Sequence, residues 1–158
     1  MSQLSLLDNT VLSNFARVQL ASAVYSYWKG QARTTSQVLA EYHAGVIAAG
    51  LPATAWRELP VLELTPAETN FGDTLPARLG DGERSCLAVA HARQAIIATD
   101  DLFARQVAKR YRILAVGTLG ILTRCVQRGI LTHSKAQAAL DQMIAAGYRA
   151  PIDNLGAL

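Results

Sequence analysis

The chain has 158 residues, of which 51% are hydrophobic and 17% are charged. These proportions are typical of one compact globular domain over residues 1–158 and exclude a disordered or fibrous protein. The formal net charge is +3, and arginine supplies twelve of the fifteen basic residues, which by itself is weak support for a nucleic-acid partner. No apolar run approaches the roughly 18 residues that cross a bilayer, so we expect a cytoplasmic protein without a membrane partner.

Short apolar runs alternate with helical patterns in the first half of the chain. The elements predicted there are a strand at 3–7, a helix from about 10, a helix at 19–28, a short extended piece after 30, a helix from 35 or 36 to 50, and a strand at 59–66. Pro66 is expected to open a short helix, because proline is favoured in the first helical turn. The glycine-rich stretch 71–83 is predicted to be a loop.

The same alternation continues to the end of the chain. The predicted elements are a helix at 83–94, a strand at 95–99, a helix at 100–111, a strand at 112–117 and two helices at 118–129 and 134–147. Strands that alternate with helices favour a parallel sheet covered by helices on both faces. The sequence therefore predicts a single α/β domain.

The cysteines and histidines do not form a recognisable metal site. Cys86 and Cys125 lie far apart in apolar helical patterns and are interpreted as small buried hydrophobic residues. His43, His91 and His133 have no ligand spacing and are predicted to lie on helix surfaces.

Acidic residues directly follow two of the predicted strands. Asp8 comes after the first strand, and Asp100 and Asp101 come after the strand that ends at Thr99. Ligands of parallel α/β sheets bind at the carboxyl ends of the strands, so these acids would converge if the two strands are neighbours. Asp8 and Asp100 could equally be helix caps.

Two further acids share a helix face with apolar residues. Glu41 lies on the predicted inner stripe of its helix, formed by Val38, Tyr42, Gly45, Val46 and Ala49. A carboxylate on such a stripe is costly unless another group compensates its charge. Glu83 precedes a similar stripe, although an acid in the first turn of a helix also complements the helix dipole.

A cluster of these carboxylates would require a cation, because like charges a few ångströms apart cannot all ionise alone. Oxygen ligands without cysteine or histidine select Mg²⁺ or Mn²⁺ over zinc. Such a site supports phosphoryl chemistry. The residues alone do not indicate the substrate.

Several motifs resemble those of the PIN-domain superfamily, and more narrowly its DUF3368 branch, which is similar to VapC-type toxins. The motifs are "LLDNTVLSNFARV", "TTSQVLAEY", "LGDGERSCLAVAHA" and "IIATDDLFARQVAKRYRILAVGTLGIL", and the likeness extends over essentially the whole chain. The resemblance implies a three-layer α/β/α domain with a small central parallel sheet. It also implies a Mg²⁺- or Mn²⁺-dependent endoribonuclease, often the toxin of a type II pair, with RNA, a small antitoxin protein and a second copy of the chain as partners.

The resemblance assigns the family's acidic positions to Asp8, Glu41, Glu83 and Asp101. Asp8, Glu83 and Asp101 would be metal ligands, with Asp100 as the alternate to Asp101, and Glu41 would complete the ring or position the attacking water. The supporting polar positions are Thr10, Ser13, Thr99 and Thr118.

This chain departs from many relatives after the next strand, where "GTLG" offers only Thr118 in place of a further acid. The departure leaves open whether the site holds one metal or two, and it favours an alternative in which the chain is a non-catalytic PIN-like module that binds RNA or protein. The apolar residues of 11–28 are a candidate partner surface or ordinary core. Arg17, Arg33 and Arg84 are candidates for contact with an RNA backbone.

Overall fold

The computed structural model describes residues 3–158, so Met1 and Ser2 lie outside the described residues. A five-stranded parallel sheet is formed by β1 (Ser5–Leu7), β2 (Ala32–Thr35), β3 (Val61–Leu62), β4 (Ile96–Ala98) and β5 (Ala115–Val116). The flanking helices are α1 (Asn9–Arg17), α2 (Ala21–Trp28), α3 (Ser36–Ala49), α4 (Pro66–Asp73), α5 (Asp81–Arg93), α6 (Leu102–Arg110), α7 (Thr118–Gln127) and α8 (His133–Ala145). The predicted α/β class and PIN-like three-layer architecture are confirmed.

The strand order is β3-β2-β1-β4-β5. The chain builds the sheet outwards from β1 to β3 and then crosses over to add β4 on the other side of β1. Leu7 of β1 therefore pairs with Ala98 of β4, and the backbone N–H of Asp8 donates to the carbonyl of Ala98 across 2.9 Å. The order reverses between these two strands, which makes their carboxyl ends the expected place for a ligand.

The centre of the sheet is covered on both faces, as its unbroken apolar strands require. Leu6 and Leu7 of β1 and Ile97 of β4 are fully buried. Tyr27 and Trp28 of α2 are also buried in this core. These two aromatic residues of the candidate partner surface within 11–28 are therefore interior packing, whereas Tyr25 is half-buried.

Several predicted boundaries are longer than the elements observed. The strands predicted at 59–66 and 112–117 pair only at Val61–Leu62 and Ala115–Val116, because each is an edge strand with one neighbour. The helix predicted at 100–111 begins at Leu102, since Asp101 is its N-cap. On α3 the inner stripe ends early, and Ala49 is exposed rather than buried.

Both cysteines are fully buried, and all three histidines are exposed on helices, as predicted. Within residues 3–158, no helix has the length and apolar character needed to cross a membrane.

Candidate active site

Asp8 is the buried centre of the site. It follows β1 directly, and its residue is only 1% exposed. Asp8 Oδ2 accepts a 2.7 Å hydrogen bond from the Thr99 hydroxyl and a longer one, 3.4 Å, from the Thr10 hydroxyl. Oδ1 is buried without a hydrogen-bond partner. Burial raises the pKa of this carboxyl group to about 6, and the charge of Glu41 adds to the rise, although the hydrogen bonds oppose it.

The turn after β4 is held against Asp8 by two threonines. The Thr99 hydroxyl also accepts the backbone N–H of Asp101 at 3.2 Å. The Thr10 hydroxyl accepts the backbone N–H of Asp100 at 3.0 Å. Through these contacts the segment that follows β4 is attached to the segment that follows β1, so the positions of the acids on both strands depend on each other.

Asp101 and Glu83 meet beside Asp8. Asp101 Oδ1 caps α6 by accepting the backbone N–H of Ala104 at 2.7 Å. Glu83 Oε2 accepts the backbone N–H of Gly80 at 3.0 Å, in the first turn of α5. Burial raises the pKa of Glu83 to about 7, and the negative charges of Asp8 and Asp101 raise it further, although the Gly80 hydrogen bond opposes the rise. A carboxyl group with such a pKa lies in a site that lacks compensating positive charge.

Glu41 reaches the same place from α3. Its Oε1 accepts the backbone N–H of Gly82 at 2.9 Å. A Cβ atom added to Gly82 would lie 2.7 Å from both Glu41 carboxylate oxygens, which is too close for a methyl group. A Cβ added to Gly80 would lie 3.8 Å from Glu41 Oε1 and 3.9 Å from Glu83 Oε2. The two carboxylates therefore flank the start of α5, and glycine at 82 makes the approach of Glu41 possible.

A buried contact fixes α3 relative to α5. The hydroxyl oxygens of Thr35 and Ser85 are 2.7 Å apart. Thr35 also caps α3 by accepting the backbone N–H of Val38, and the Ser85 hydroxyl donates to the carbonyl of Gly82. Both helices thus start from one hydrogen-bonded junction, which positions Glu41 opposite Gly82.

Asp100 does not join these acids and instead accepts hydrogen bonds from Thr118 and Asn14. Its Oδ1 accepts the backbone N–H of Thr118 at 2.7 Å, and its Oδ2 accepts the Thr118 hydroxyl at 2.5 Å. The Asn14 amide donates to Asp100 Oδ2 at 3.1 Å. A Cβ on Gly117 would lie 2.9 Å from both Asp100 Oδ1 and Arg105 Nη1. Asp100 joins α1 and the start of α7, and its two oxygens are already satisfied.

These contacts define an acid cluster, which consists of Asp8, Glu41, Glu83 and Asp101. The donor chemistry fits Mg²⁺ or Mn²⁺, because the available ligands are carboxylate oxygens. The buried, unpartnered Oδ1 of Asp8 is a position that a cation would satisfy. In the described part of the chain, however, no three His, Cys, Asp or Glu side chains close around one point that could hold a metal ion. The acid cluster therefore fits a divalent cation in chemistry and charge, but its carboxylates do not surround one common point.

A cleft of about 1020 Å³ extends from one end of the acid cluster. It is bordered by Thr10 and Asp101 but not by Asp8, Glu41 or Glu83. Five arginines line it, one from each of five chain segments: Arg17, Arg78, Arg105, Arg124 and Arg149. We call this feature the arginine cleft.

The four predicted supporting residues form hydrogen bonds with different partners. Thr10 and Thr99 both donate a hydrogen bond to Asp8. The Ser13 hydroxyl donates to Asn9 Oδ1 rather than to Asp8, and Ser13 borders the cleft. Thr118 bonds Asp100 rather than any member of the acid cluster.

Of the three predicted RNA-contacting arginines, Arg17 lines the cleft. Arg33 donates to the carbonyls of Gly30 and Ala32, and Arg84 donates to the carbonyl of Leu79. Neither of those two borders the cleft.

Sequence reasoning missed Gly82, Asn14 and most of the arginine cleft. The signal for Gly82 was its place directly before Glu83 in "GDGE". Asn14 was detectable as a polar residue between the buried residues of α1. The cleft had no local signal, since its arginines are dispersed along the chain.

Two comparisons bear on this arrangement. The model of the family DUF3368, described as a PIN domain, matches residues 5–156. No curated protein matches the chain.

Proposed function

This chain belongs to the PIN-domain family DUF3368, and on that premise we propose that it is a Mg²⁺- or Mn²⁺-dependent endoribonuclease, the toxin of a type II toxin–antitoxin pair. PIN domains are generally nucleases. The observation that carries the proposal is the buried Asp8 carboxylate, whose Oδ1 has no partner and which is surrounded by Glu41 and Glu83. The raised pKa values of Asp8 and Glu83 mean that their ionised forms destabilise the folded protein, and a bound cation would offset this destabilisation.

Asp8, Glu83 and Asp101 would hold the metal directly or through waters. Asp101 is a better candidate than Asp100, because Thr118 and Asn14 already satisfy both oxygens of Asp100. A divalent ion in such a site lowers the pKa of the attacking water and stabilises the leaving oxygen of a phosphodiester.

The remaining groups would act by orientation. The hydroxyl of Thr99 keeps Asp8 ionised by donating to its Oδ2. The Gly82 N–H holds Glu41 by Oε1, which leaves Oε2 to accept a proton from the attacking water or to orient it. The reaction would be a direct in-line displacement by water that needs no covalent enzyme intermediate. A small antitoxin protein and a second copy of the chain are the partners that we propose on the same basis.

A non-catalytic PIN-like module that binds RNA or protein is the second candidate. The observation in its favour is that, over residues 3–158, no three potential ligands close around one point. In that case the acids would be retained without forming a working metal site.

The test is calorimetric titration of Mg²⁺ and Mn²⁺ into the wild type and into Asp8→Asn, with RNA cleavage assayed on the same samples. Asp73→Asn is the matched control, because Asp73 is exposed at the end of α4. We expect metal binding and cleavage in the wild type and the control, and the loss of both in Asp8→Asn. Metal binding without cleavage of any RNA would favour the second candidate, and no binding by the wild type would refute the metal-dependent nuclease.

A further inference from the structure

The basic charge in the arginine cleft is unusually free of protein partners. The only ion pair within residues 3–158 joins Arg93 to Glu68, which lies outside the cleft. Arg105 donates to the carbonyl of Thr99. The guanidinium groups of the other four cleft arginines donate no hydrogen bond to any described side chain or carbonyl, and three of these residues, Arg78, Arg124 and Arg149, are exposed. Unpaired guanidinium groups that converge on one cavity from separate segments form a site for anionic groups.

The cleft also offers apolar surface between these charges. Phe103 borders it, and the guanidinium carbon of Arg78 lies 4.5 Å from the centre of the Phe103 ring. Tyr148 is half-buried in the same wall. Positive charge interleaved with aromatic surface is what a polynucleotide strand needs, because phosphates contact the arginines while bases contact the rings.

The arginine cleft reaches the acid cluster at one member, Asp101, and the other three members do not border it. The helix α3, which carries Glu41, contains no lysine or arginine, and the first turn of α5, which carries Glu83, adds the exposed Asp81. A phosphate chain that continued from the cleft past Asp101 would meet the remaining carboxylates of the cluster. The cleft meets the cluster at Asp101, so a strand in the cleft would bring one phosphate to the acids at its end.

We propose that the arginine cleft binds the backbone phosphates of the polynucleotide on one side of the scissile phosphate, with Arg124 and Arg149 among the phosphate contacts. This inference rests on the proposed nuclease function for the position of the scissile phosphate. The binding itself does not depend on cleavage, so the two can fail separately. The arginine fork suits phosphate geometry, and the aromatic walls favour a polynucleotide over an acidic peptide.

The first experiment measures binding without catalysis. Fluorescence anisotropy of a short fluorescein-labelled RNA in EDTA is compared for the wild type, Arg124→Ala/Arg149→Ala and the control Arg57→Ala/Arg110→Ala. The control removes the same charge from exposed positions outside the cleft. We expect the cleft variant to bind about tenfold more weakly and to lose about 1.4 from the slope of log K against log salt, at roughly 0.7 per phosphate contact. Equal weakening in the control variant would overturn the proposal, as would unchanged binding by the cleft variant.

Two further experiments test whether the ligand is a polynucleotide and whether it extends to one side of the scissile phosphate. Polyglutamate of matched charge should compete poorly with the RNA, and competition as strong as that of unlabelled RNA would overturn the polynucleotide assignment. For an RNA whose cleavage position has been mapped, shortening from one end should raise KM, and shortening from the other end should not. The KM of the cleft variant should respond less than that of the wild type to the first shortening. An equal rise in KM on shortening the RNA from either end would overturn the proposal that the cleft lies on one side of the scissile phosphate. RNA binding that depends on the cleft arginines, without cleavage of any RNA, would overturn the proposed nuclease activity but not the proposed phosphate-binding cleft.

Discussion

The Thr99 hydroxyl lies 2.7 Å from Asp8 Oδ2, and this contact joins the residues that follow two neighbouring strands. The same hydroxyl accepts the backbone N–H of Asp101. Thr99 is fully buried, so water cannot replace its hydrogen bonds. One neutral side chain therefore supports two of the proposed metal ligands.

Thr99→Val should weaken metal binding while it preserves the fold. Valine has nearly the same shape, but it leaves Asp8 Oδ2 without its short hydrogen bond and favours the protonated acid. A hydrogen bond to a charged group contributes about 1.5–3 kcal/mol, so we expect Mn²⁺ affinity to fall about tenfold or more. Calorimetry at neutral pH measures the change. Thr123→Val is the control, because the Thr123 hydroxyl bonds only within α7; an unchanged affinity in Thr99→Val would contradict the role given to this hydroxyl.

Gly82→Ala should disturb the site through Glu41. The new methyl group would lie 2.7 Å from both carboxylate oxygens, so Glu41 must move away and lose its bond to the Gly82 N–H. We expect Mn²⁺ binding to weaken and the rate of RNA cleavage to fall, with circular dichroism unchanged. Gly80→Ala is a close control, since its methyl group would make ordinary contacts with Glu41 and Glu83 at 3.8 and 3.9 Å. Equal effects of the two substitutions would argue against steric displacement of Glu41.

The parts of the site that were predictable from sequence are those fixed by topology. Asp8 and Asp101 follow strands in a parallel sheet, so pairing of β1 with β4 is enough to bring them together. Glu41 and Glu83 were predictable from helical phase, although the stripe on α3 is shorter than expected, with Ala49 exposed. Choosing between Asp100 and Asp101 was beyond the sequence, because the choice depends on the contacts that Thr118 and Asn14 make with Asp100.

The remaining features depend on contacts between distant segments. The five cleft arginines come from five segments and have no shared pattern along the chain. Glu68 lies in the short helix α4 and is only 4% exposed. Its partner, Arg93, is 25 residues further along the chain, and no local periodicity indicates such a pair.

Glu68→Gln should reduce stability and leave the site intact. Arg93 donates to both Glu68 oxygens at 2.8 and 2.9 Å, and Glu68 also forms a reciprocal cap with Thr65 at the start of α4. Glutamine keeps the size of the side chain but removes its charge, so the free energy of unfolding should fall by about 1–3 kcal/mol. Urea denaturation measures this loss, with the exposed Glu58→Gln as the control. A change in Mn²⁺ affinity would contradict the prediction, because Glu68 contacts no member of the acid cluster.

The stability of the metal-free protein should have an unusual pH dependence. Asp8 and Glu83 have pKa values in the folded protein of about 6 and about 7, above their ordinary values of 3.8 and 4.5. Protonation therefore favours the folded state, and the stability gained in this way is complete below the ordinary values and is lost as pH rises through 6 and 7. For Asp8, which is almost fully buried, the difference corresponds to about 3 kcal/mol.

Unfolding in EDTA should accordingly require more urea at about pH 5 than at about pH 8. Glu68 has the opposite effect at lower pH, because Arg93 lowers its pKa to about 2 from 4.5; its contribution is present above 4.5 and is lost as pH falls towards 2. Together these three groups place the maximum of the stability profile at about pH 4, between the ordinary pKa values of the acids. Asp8→Asn should be more stable than the wild type at about pH 8 and should show a smaller rise on acidification. A wild-type stability that stays flat or falls when the pH is lowered from about 8 to about 5 would show that Asp8 and Glu83 are not held in this environment.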